Sequence, residues 1–457
     1  SSTMLPKPSL IFTVPSVHDG LPIDCRVYHP LSLAAAPNAP RWQKHAAVVA
    51  HPYAPLGGSY DDPVVDIVAG TLLRRGFLVV TFNFRGAQGS AGKTSWTAKA
   101  ERADYMSVVG FAIHYVHFLD PFGRGAPAGR GNASPDDEMV EDDGGFGSTI
   151  CVGPPTPSPP DPPEPTPILL LGGYSYGAMV TSQLPSVETI AALFDIPECG
   201  THAAEVRLRA QHLAEMQNTV LASARQAAAD CRRPQSPRKH VGLRVGGDDG
   251  RRKSYESRRS LSMELEETIR HGVAELLART RKGHKRSSSG KGHAPRGSDG
   301  VSRDAGVTPE YLRPISGRIS FRPAYLLVSP LQGVVTNLAT MSLPPSLSGL
   351  PAKAWTRFSG RAKGSHPPEP REPAVVAHAV PVEAEYKLVQ NPTLAIYGDR
   401  DGFVPIKKLR NWASRLEAMP GSEFRAHEVS SANHFWQQRN VAATLREAVA
   451  AFAASLL

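Results

Sequence analysis

The most informative segment of this 457-residue chain reads Pro167-Ile-Leu-Leu-Leu-Gly-Gly-Tyr-Ser-Tyr-Gly-Ala-Met-Val180. Its apolar run before the glycines is typical of a parallel strand that is covered on both faces. Gly173 and Gly177 then flank Ser175 two residues away on either side, where side chains would collide in a sharp turn from strand into helix. The segment therefore predicts a strand, a tight turn that raises the Ser175 hydroxyl above the sheet edge, and a helix.

A serine in such a turn has the position of a catalytic nucleophile. The backbone N–H of Tyr176 lies at the start of the predicted helix, where the helix dipole suits a developing oxyanion. The G-x-S-x-G pattern alone is weak evidence, because this chain contains 40 glycines. The hypothesis requires an acid and a histidine, each beyond a later strand and in that chain order.

Both residue types follow in that order. The acids Asp399 and Asp401 come after a predicted strand that ends at Tyr397, and His434 comes after the last predicted strand. A carboxylate that orients an imidazole allows the imidazole to remove the proton of a serine hydroxyl, which is otherwise a poor nucleophile at neutral pH. The sequence therefore contains the residues for nucleophilic acyl transfer.

Three segments together resemble the α/β-hydrolase fold superfamily, namely Gly173–Gly177, Gly398–Pro405 and Ala432–Phe435. Two further segments, His51-Pro-Tyr53 and Asn83-Phe-Arg-Gly86, are similar to small serine hydrolases of the dienelactone-hydrolase-like and acyl-peptidase-like branches. The dienelactone hydrolases proper use a cysteine nucleophile, so their substrate is not implied here. The resemblance implies an α/β-hydrolase fold with a mostly parallel, doubly wound sheet and long disordered or partly helical insertions.

The resemblance also selects among the candidate residues. The family pattern G-x-x-D-x-x-V-P places the acid at Asp401, because Gly398 and the following Val-Pro pair are then in register. Asp399 is the competing acid and is expected to cap the turn. His434 is the expected base, whereas His427 lies inside the last predicted strand and is expected to be a packing or edge residue.

A second oxyanion-hole donor is expected from the loop that follows an earlier strand. This loop runs from His51 to Ser59 and contains two adjacent glycines. We assign the backbone N–H of Tyr53 to this role beside that of Tyr176, with Ala54 as the alternative. An ordinary loop between a strand and a helix is the competing interpretation. No metal and no organic cofactor is required by this chemistry.

The 42 prolines and 40 glycines indicate that parts of the chain lie outside one large α/β domain. The predicted divisions are the N-terminal part of the hydrolase domain (1–119), a Pro/Gly/Asp-rich disordered insertion (120–166), the nucleophile strand, turn and helix (167–200), a basic, partly helical insertion (201–319), a core strand and helix start (320–343), a linker or lid (344–383), and the C-terminal part of the hydrolase domain with the acid and the histidine (384–457).

The formal net charge of +9 comes from the basic insertion, since the rest of the chain is close to neutral. Its arginines and lysines precede serines and are interpreted as solvated charge runs, with a kinase or another partner protein at this insertion as the alternative. It lacks interleaved aromatics, so no specific nucleic acid is expected. Four cysteines without paired spacing and the absence of an apolar leader or bilayer-length run predict a cytoplasmic protein without a membrane span, with the nucleus as an alternative.

These observations predict a serine hydrolase that cleaves a carboxylic ester, thioester or amide of a small to medium acyl substrate through an acyl-enzyme on Ser175. The alternative is a catalytically idle α/β-hydrolase scaffold that acts as a binding or regulatory protein through its basic insertion. The fold alone does not choose between them. The intact set of Ser175, Asp401 and His434 favours catalysis.

Overall fold

The computed structural model describes residues 3–34, 41–95, 97–123, 165–232, 265–279, 310–331 and 382–457. The strands are β1 (Leu10–Pro15), β2 (Pro22–Tyr28), β3 (Ala46–Ala50), β4 (Leu78–Phe82), β5 (Ile168–Tyr174), β6 (Arg322–Val328), β7 (Thr393–Arg400) and β8 (Phe424–Asn433). The helices are α1 (Pro63–Arg74), α2 (Lys99–Phe118), α3 (Tyr176–Gln183), α4 (Val187–Ala192), α5 (His202–Arg232), α6 (265–279), α7 (Val382–Gln390), α8 (Ile406–Glu417) and α9 (Arg439–Leu456).

The eight strands form a single sheet in the order β1-β2-β4-β3-β5-β6-β7-β8. β1, β2 and β4 pair in antiparallel fashion, and all other neighbours pair in parallel. Parallel neighbours need crossover connections, which the intervening helices supply on both faces of the sheet. The predicted fold class, an α/β-hydrolase fold with a mostly parallel, doubly wound sheet, is confirmed.

The sheet has a hydrophobic core on each face. In β3, Ala46, Val48 and Ala50 belong to one core, whereas Ala47 and Val49 belong to the other. Helices α1 and α9 cover the second face, and α2, α3 and α8 cover the first. Every residue of β3, β4 and β5 is therefore buried, which explains why these strands are continuous apolar runs without alternation.

Helices α5 and α6 belong to the predicted basic insertion and contribute buried residues to the first core, among them Val206 and Leu213 of α5 and Ile269 of α6. α5 lies along α2, and Arg209 on α5 forms an ion pair of 2.9 Å with Glu266 of α6. The same guanidinium donates to the Thr13 carbonyl in β1, also at 2.9 Å. Apart from their first or last few residues, the predicted insertion 120–166 and the predicted linker or lid 344–383 lie outside the described residues.

None of the helices in the described ranges has both the length and the apolar character that crossing a bilayer requires.

One lysine lies within the first core. Lys387 on α7 is only 5% exposed, and its ammonium group donates to the carbonyls of Ser182 (2.6 Å) and Ala384 (3.1 Å). Burial lowers the pKa of Lys387 to about 7, against a smaller opposing effect of Glu385. Burial therefore favours the neutral form more in the folded protein than in the unfolded chain.

We expect Lys387 to make the stability of the protein rise with pH between about 7 and 10. Lysine in the unfolded chain has a pKa of about 10.4, so the unfolded state binds more protons over this interval. The free energy of unfolding should increase by up to about 1.4 kcal/mol per pH unit from this group. Urea unfolding of the wild type and of Lys387→Met at several pH values measures the difference. Lys407→Met, which replaces an exposed residue of α8, is the control and should keep the wild-type dependence of the free energy of unfolding on pH. A wild-type pH dependence in Lys387→Met would contradict the assignment.

Candidate active site

Ser175 lies between β5 and α3 with a backbone φ of 57° and ψ of −113°. A non-glycine residue in this region is strained, and such strain is found where a sharp turn presents a nucleophile. The two flanking glycines are required by close contacts. A Cβ on Gly173 would lie 2.7 Å from the backbone nitrogen of Ala178, and one on Gly177 would lie 2.6 Å from the Ala50 carbonyl oxygen. The predicted strand, turn and helix are all present.

The structure brings Ser175, His434 and Asp401 together. His434 Nε2 lies 2.7 Å from Ser175 Oγ, and His434 Nδ1 lies 2.7 Å from Asp401 Oδ2. A carboxylate facing Nδ1 favours the tautomer with the proton on that nitrogen, which leaves Nε2 free to accept from the serine hydroxyl. The Asp401 side chain is fully buried and that of His434 is 4% exposed. This geometry matches a nucleophile, a general base and an orienting acid.

The two candidate acids have different surroundings. Asp401 Oδ1 accepts hydrogen bonds from the backbone N–H groups of Phe403 (2.8 Å) and Val404 (3.2 Å), and its other oxygen faces His434. Asp399 instead accepts from the backbone N–H of Ser431 in β8 at 2.7 Å. Asp399 therefore ties two strands together, whereas the carboxylate of Asp401 is oriented toward the imidazole.

The loop that carries His434 is fixed from both sides. The Tyr174 hydroxyl, one residue before the nucleophile, donates to the His434 carbonyl at 2.8 Å. The indole N–H of buried Trp436 donates to Ser329 Oγ at 3.0 Å. The ring of Phe403 packs on the imidazole with centroids 4.4 Å apart. The imidazole is thus held in place by contacts on the sheet and on the loop after β7.

The two tyrosines whose backbone N–H groups are proposed for the oxyanion hole contact each other through their rings. Tyr176 is the first residue of α3, and Tyr53 precedes a short 3₁₀ helix, Ala54–Leu56. The rings of Tyr53 and Tyr176 have centroids 5.2 Å apart. Among the described residues, neither backbone N–H has a hydrogen-bond acceptor. Both donors remain available to a ligand.

His51 is a positioning residue that sequence reasoning did not assign. It is fully buried, and its Nε2 accepts from the backbone N–H of Phe84 at 2.8 Å. Its Nδ1–H therefore donates to the Pro52 carbonyl at 2.5 Å. Burial lowers the pKa of His51 to about 4, so the ring is neutral at pH 7. This imidazole connects the loop of Tyr53 to the loop after β4. Its position directly after a buried strand and its place in the His51-Pro-Tyr53 segment were the sequence signals.

His427, the alternative base, lies within β8 and is exposed. It pairs across the sheet with Ile396 and not with the acid or the serine. The sequence interpretation of His427 as an edge residue agrees with this position.

Comparison with solved structures finds, among others, proteins described as α/β hydrolases. XC6422 from Xanthomonas campestris, an α/β serine hydrolase without a lid, shares 16% identity at a TM-score of 0.38, covering 100% of this chain and 98% of that chain. Est1E from Butyrivibrio proteoclasticus has 10% sequence identity and a TM-score of 0.37, with 98% of each chain covered. The mouse α/β hydrolase domain-containing protein 10 has 10% sequence identity and a TM-score of 0.37, covering 98% of this chain and 100% of that chain. No protein-family model and no curated protein matches the chain. Likenesses this low carry no weight for its activity.

Proposed function

We propose that the protein is a serine hydrolase that cleaves a carboxylic ester, thioester or amide through an acyl-enzyme on Ser175. The observation that carries the proposal is the relay of two 2.7 Å contacts from Ser175 through His434 to Asp401. Each contact is within the reach needed for proton transfer. The strained backbone at Ser175 supports the same role.

In the proposed first step, Ser175 Oγ attacks the substrate carbonyl carbon while His434 Nε2 takes the hydroxyl proton. Asp401 stabilises the imidazolium that forms and stays ionised. The tetrahedral intermediate collapses when His434 gives that proton to the leaving alcohol, thiol or amine. Water, deprotonated by His434, then attacks the ester carbonyl of the acyl-enzyme and releases the acid and free Ser175.

The oxyanion of each tetrahedral intermediate is proposed to bind the N–H groups of Tyr53 and Tyr176. A preorganised backbone donor of this kind contributes on the order of 3 kcal/mol to the transition state. Support comes from the absence of acceptors for both groups among the described residues. The hydrogen bonds of His51 fix the loop of Tyr53, so little reorganisation is needed when charge develops.

The side chains around this centre suit an uncharged acyl compound. The rings of Tyr53 and Phe403 are partly exposed, and Phe435 is 37% exposed. Phe403 and Phe435 both contact the imidazole of His434, with ring centroids 4.4 and 5.7 Å away. Exposed aromatic rings that border a polar centre are typical of sites for partly apolar ligands. We propose a small to medium acyl group without charge.

The test of this function is the acyl-enzyme itself. Mixing the full chain with p-nitrophenyl butyrate should give a burst of p-nitrophenol close to one equivalent, followed by slower turnover. Mass spectrometry after acid quenching should find the butyryl group on the peptide that contains Ser175. The hemisuccinate ester, which carries a negative charge on an acyl chain of the same length, should react more slowly.

A folded protein that gives neither a burst nor a labelled peptide with any ester, thioester or amide tested would contradict the proposal. That result would favour the idle scaffold, in which the basic insertion binds a partner. Equal rates with the charged and the neutral ester would contradict only the proposed acyl preference. The cytoplasmic location, with the nucleus as the alternative, stays a prediction.

A further inference from the structure

Two phenylalanine rings lie beside the imidazole of His434. Phe403, two residues after Asp401, packs on the imidazole with ring centroids 4.4 Å apart, and Phe435, the residue after His434, meets it nearly perpendicularly at 5.7 Å. The two phenylalanine rings also contact each other, with centroids 5.5 Å apart and planes at 82°. The same two loops therefore hold the acid, the base and this aromatic pair.

Both rings of the aromatic pair reach the surface from a fixed backbone. Phe403 is partly exposed and Phe435 is 37% exposed. The Phe403 N–H donates to Asp401 Oδ1 at 2.8 Å, and the Phe435 N–H donates to Asn433 Oδ1 at 3.1 Å. The next residue, buried Trp436, has a φ of 54°, a left-handed conformation that a bulky residue adopts only where its surroundings impose it. This turn keeps the Phe435 ring at the surface beside the imidazole.

The proposed chemistry places the leaving group on the side of the imidazole. During acylation Ser175 Oγ bonds to the carbonyl carbon, the bond from that carbon to the leaving oxygen breaks, and His434 Nε2 returns the serine proton to that oxygen. This transfer requires the leaving oxygen to come within about 3 Å of Nε2. The oxyanion points instead toward the proposed backbone donors. The organic part of the leaving group therefore lies next to the aromatic pair.

We infer, from the acyl transfer proposed for Ser175, that Phe403 and Phe435 form the leaving-group subsite and select esters of phenols over esters of aliphatic alcohols. Aromatic rings attract one another in edge-to-face and offset arrangements, because their faces are negative and their edges positive. Two rings at 82° to each other allow a third ring to meet one of them edge to face and the other in an offset arrangement. An alkyl group gains only burial from the same surface.

The test compares phenyl butyrate with hexafluoroisopropyl butyrate, an alkyl ester whose leaving alcohol is similar to phenol in acidity. Both esters form the same butyryl-enzyme, so kcat/KM compares their acylation steps. A pH-stat follows the butyric acid released from each. We expect kcat/KM of the wild type to be about tenfold higher for phenyl butyrate, which is the size of a favourable aromatic contact. Phe435→Leu, which keeps an apolar side chain but removes the ring, should lower kcat/KM for phenyl butyrate about fivefold more than that for the alkyl ester.

Two variants serve as controls. Phe435→Tyr should keep the wild-type preference, because the ring stays and its hydroxyl reaches solvent from an exposed position. Tyr311→Ala removes an aromatic side chain that is 46% exposed and whose backbone bridges Glu198, and it should change neither value of kcat/KM.

Equal values of kcat/KM for the two esters in the wild type, or equal losses for both in Phe435→Leu, would overturn the subsite. These outcomes leave the proposed function intact, since the butyryl group is still found on Ser175. If neither ester acylates Ser175, the proposed function fails and the subsite fails with it.

Discussion

Ser175→Ala is expected to abolish labelling by a fluorophosphonate probe and to reduce ester hydrolysis on the order of a millionfold. The substitution removes the oxygen that lies 2.7 Å from His434 Nε2. Gel fluorescence after probe treatment and initial rates with p-nitrophenyl butyrate measure the two losses. Circular dichroism should show an unchanged fold, because the side chain removed is small.

Ser182→Ala is the matched control for this experiment. Ser182 lies on α3, the helix that Ser175 precedes, and its hydroxyl donates to the Met179 carbonyl and not to a histidine. Labelling and turnover should stay near the wild-type values. Labelling that survives Ser175→Ala would show that another residue is the nucleophile.

The second large effect concerns the acid. Asp401→Asn should lower turnover about 10⁴-fold, because an amide facing His434 Nδ1 no longer selects the tautomer that accepts from Ser175. Asp399→Asn is the internal control. An asparagine at position 399 keeps an oxygen that accepts from the Ser431 N–H, so turnover should change little and stability by about 1 kcal/mol at most.

Steady-state kinetics and thermal melts on both variants separate the roles. A loss of turnover in Asp399→Asn with a normal rate in Asp401→Asn would reverse the assignment. Equal catalytic losses with unchanged melting temperatures would also contradict it, because the structure gives only one of the two carboxylates a contact with the imidazole.

The fold was predictable because its determinants are local. A buried parallel strand has a continuous apolar run, and the crowded turn at Ser175 needs glycine at fixed distances on both sides, so both features appear in the sequence. Asp62 and Pro63 likewise mark the start of α1, where the Asp62 side chain accepts from the Val64 N–H at 2.8 Å. β7 and β8 are parallel neighbours, so Asp401 and His434, which directly follow their last residues, lie at the same edge of the sheet.

Contacts made across the fold were not predictable in the same way. The role of His51 depends on the Phe84 N–H, 33 residues away, and on a ring buried between two loops. The sequence pattern predicts the last strand from Glu423 to Val429, whereas β8 continues to Asn433. This last part pairs with β7 beyond a register shift between Gly398 and Arg400, which no local pattern indicates.

The hydrogen bond from the Tyr174 hydroxyl to the His434 carbonyl also has a consequence for folding kinetics. It joins residues 260 positions apart, and the serine and the base are 259 apart. Contacts of such sequence separation form late, because closing long loops costs entropy before any contact compensates it. A nascent or partly refolded chain can form β3, β4 and β5 before His434 reaches Ser175. The proposed hydrolytic activity therefore requires the final strand to dock, because only then does His434 lie beside Ser175.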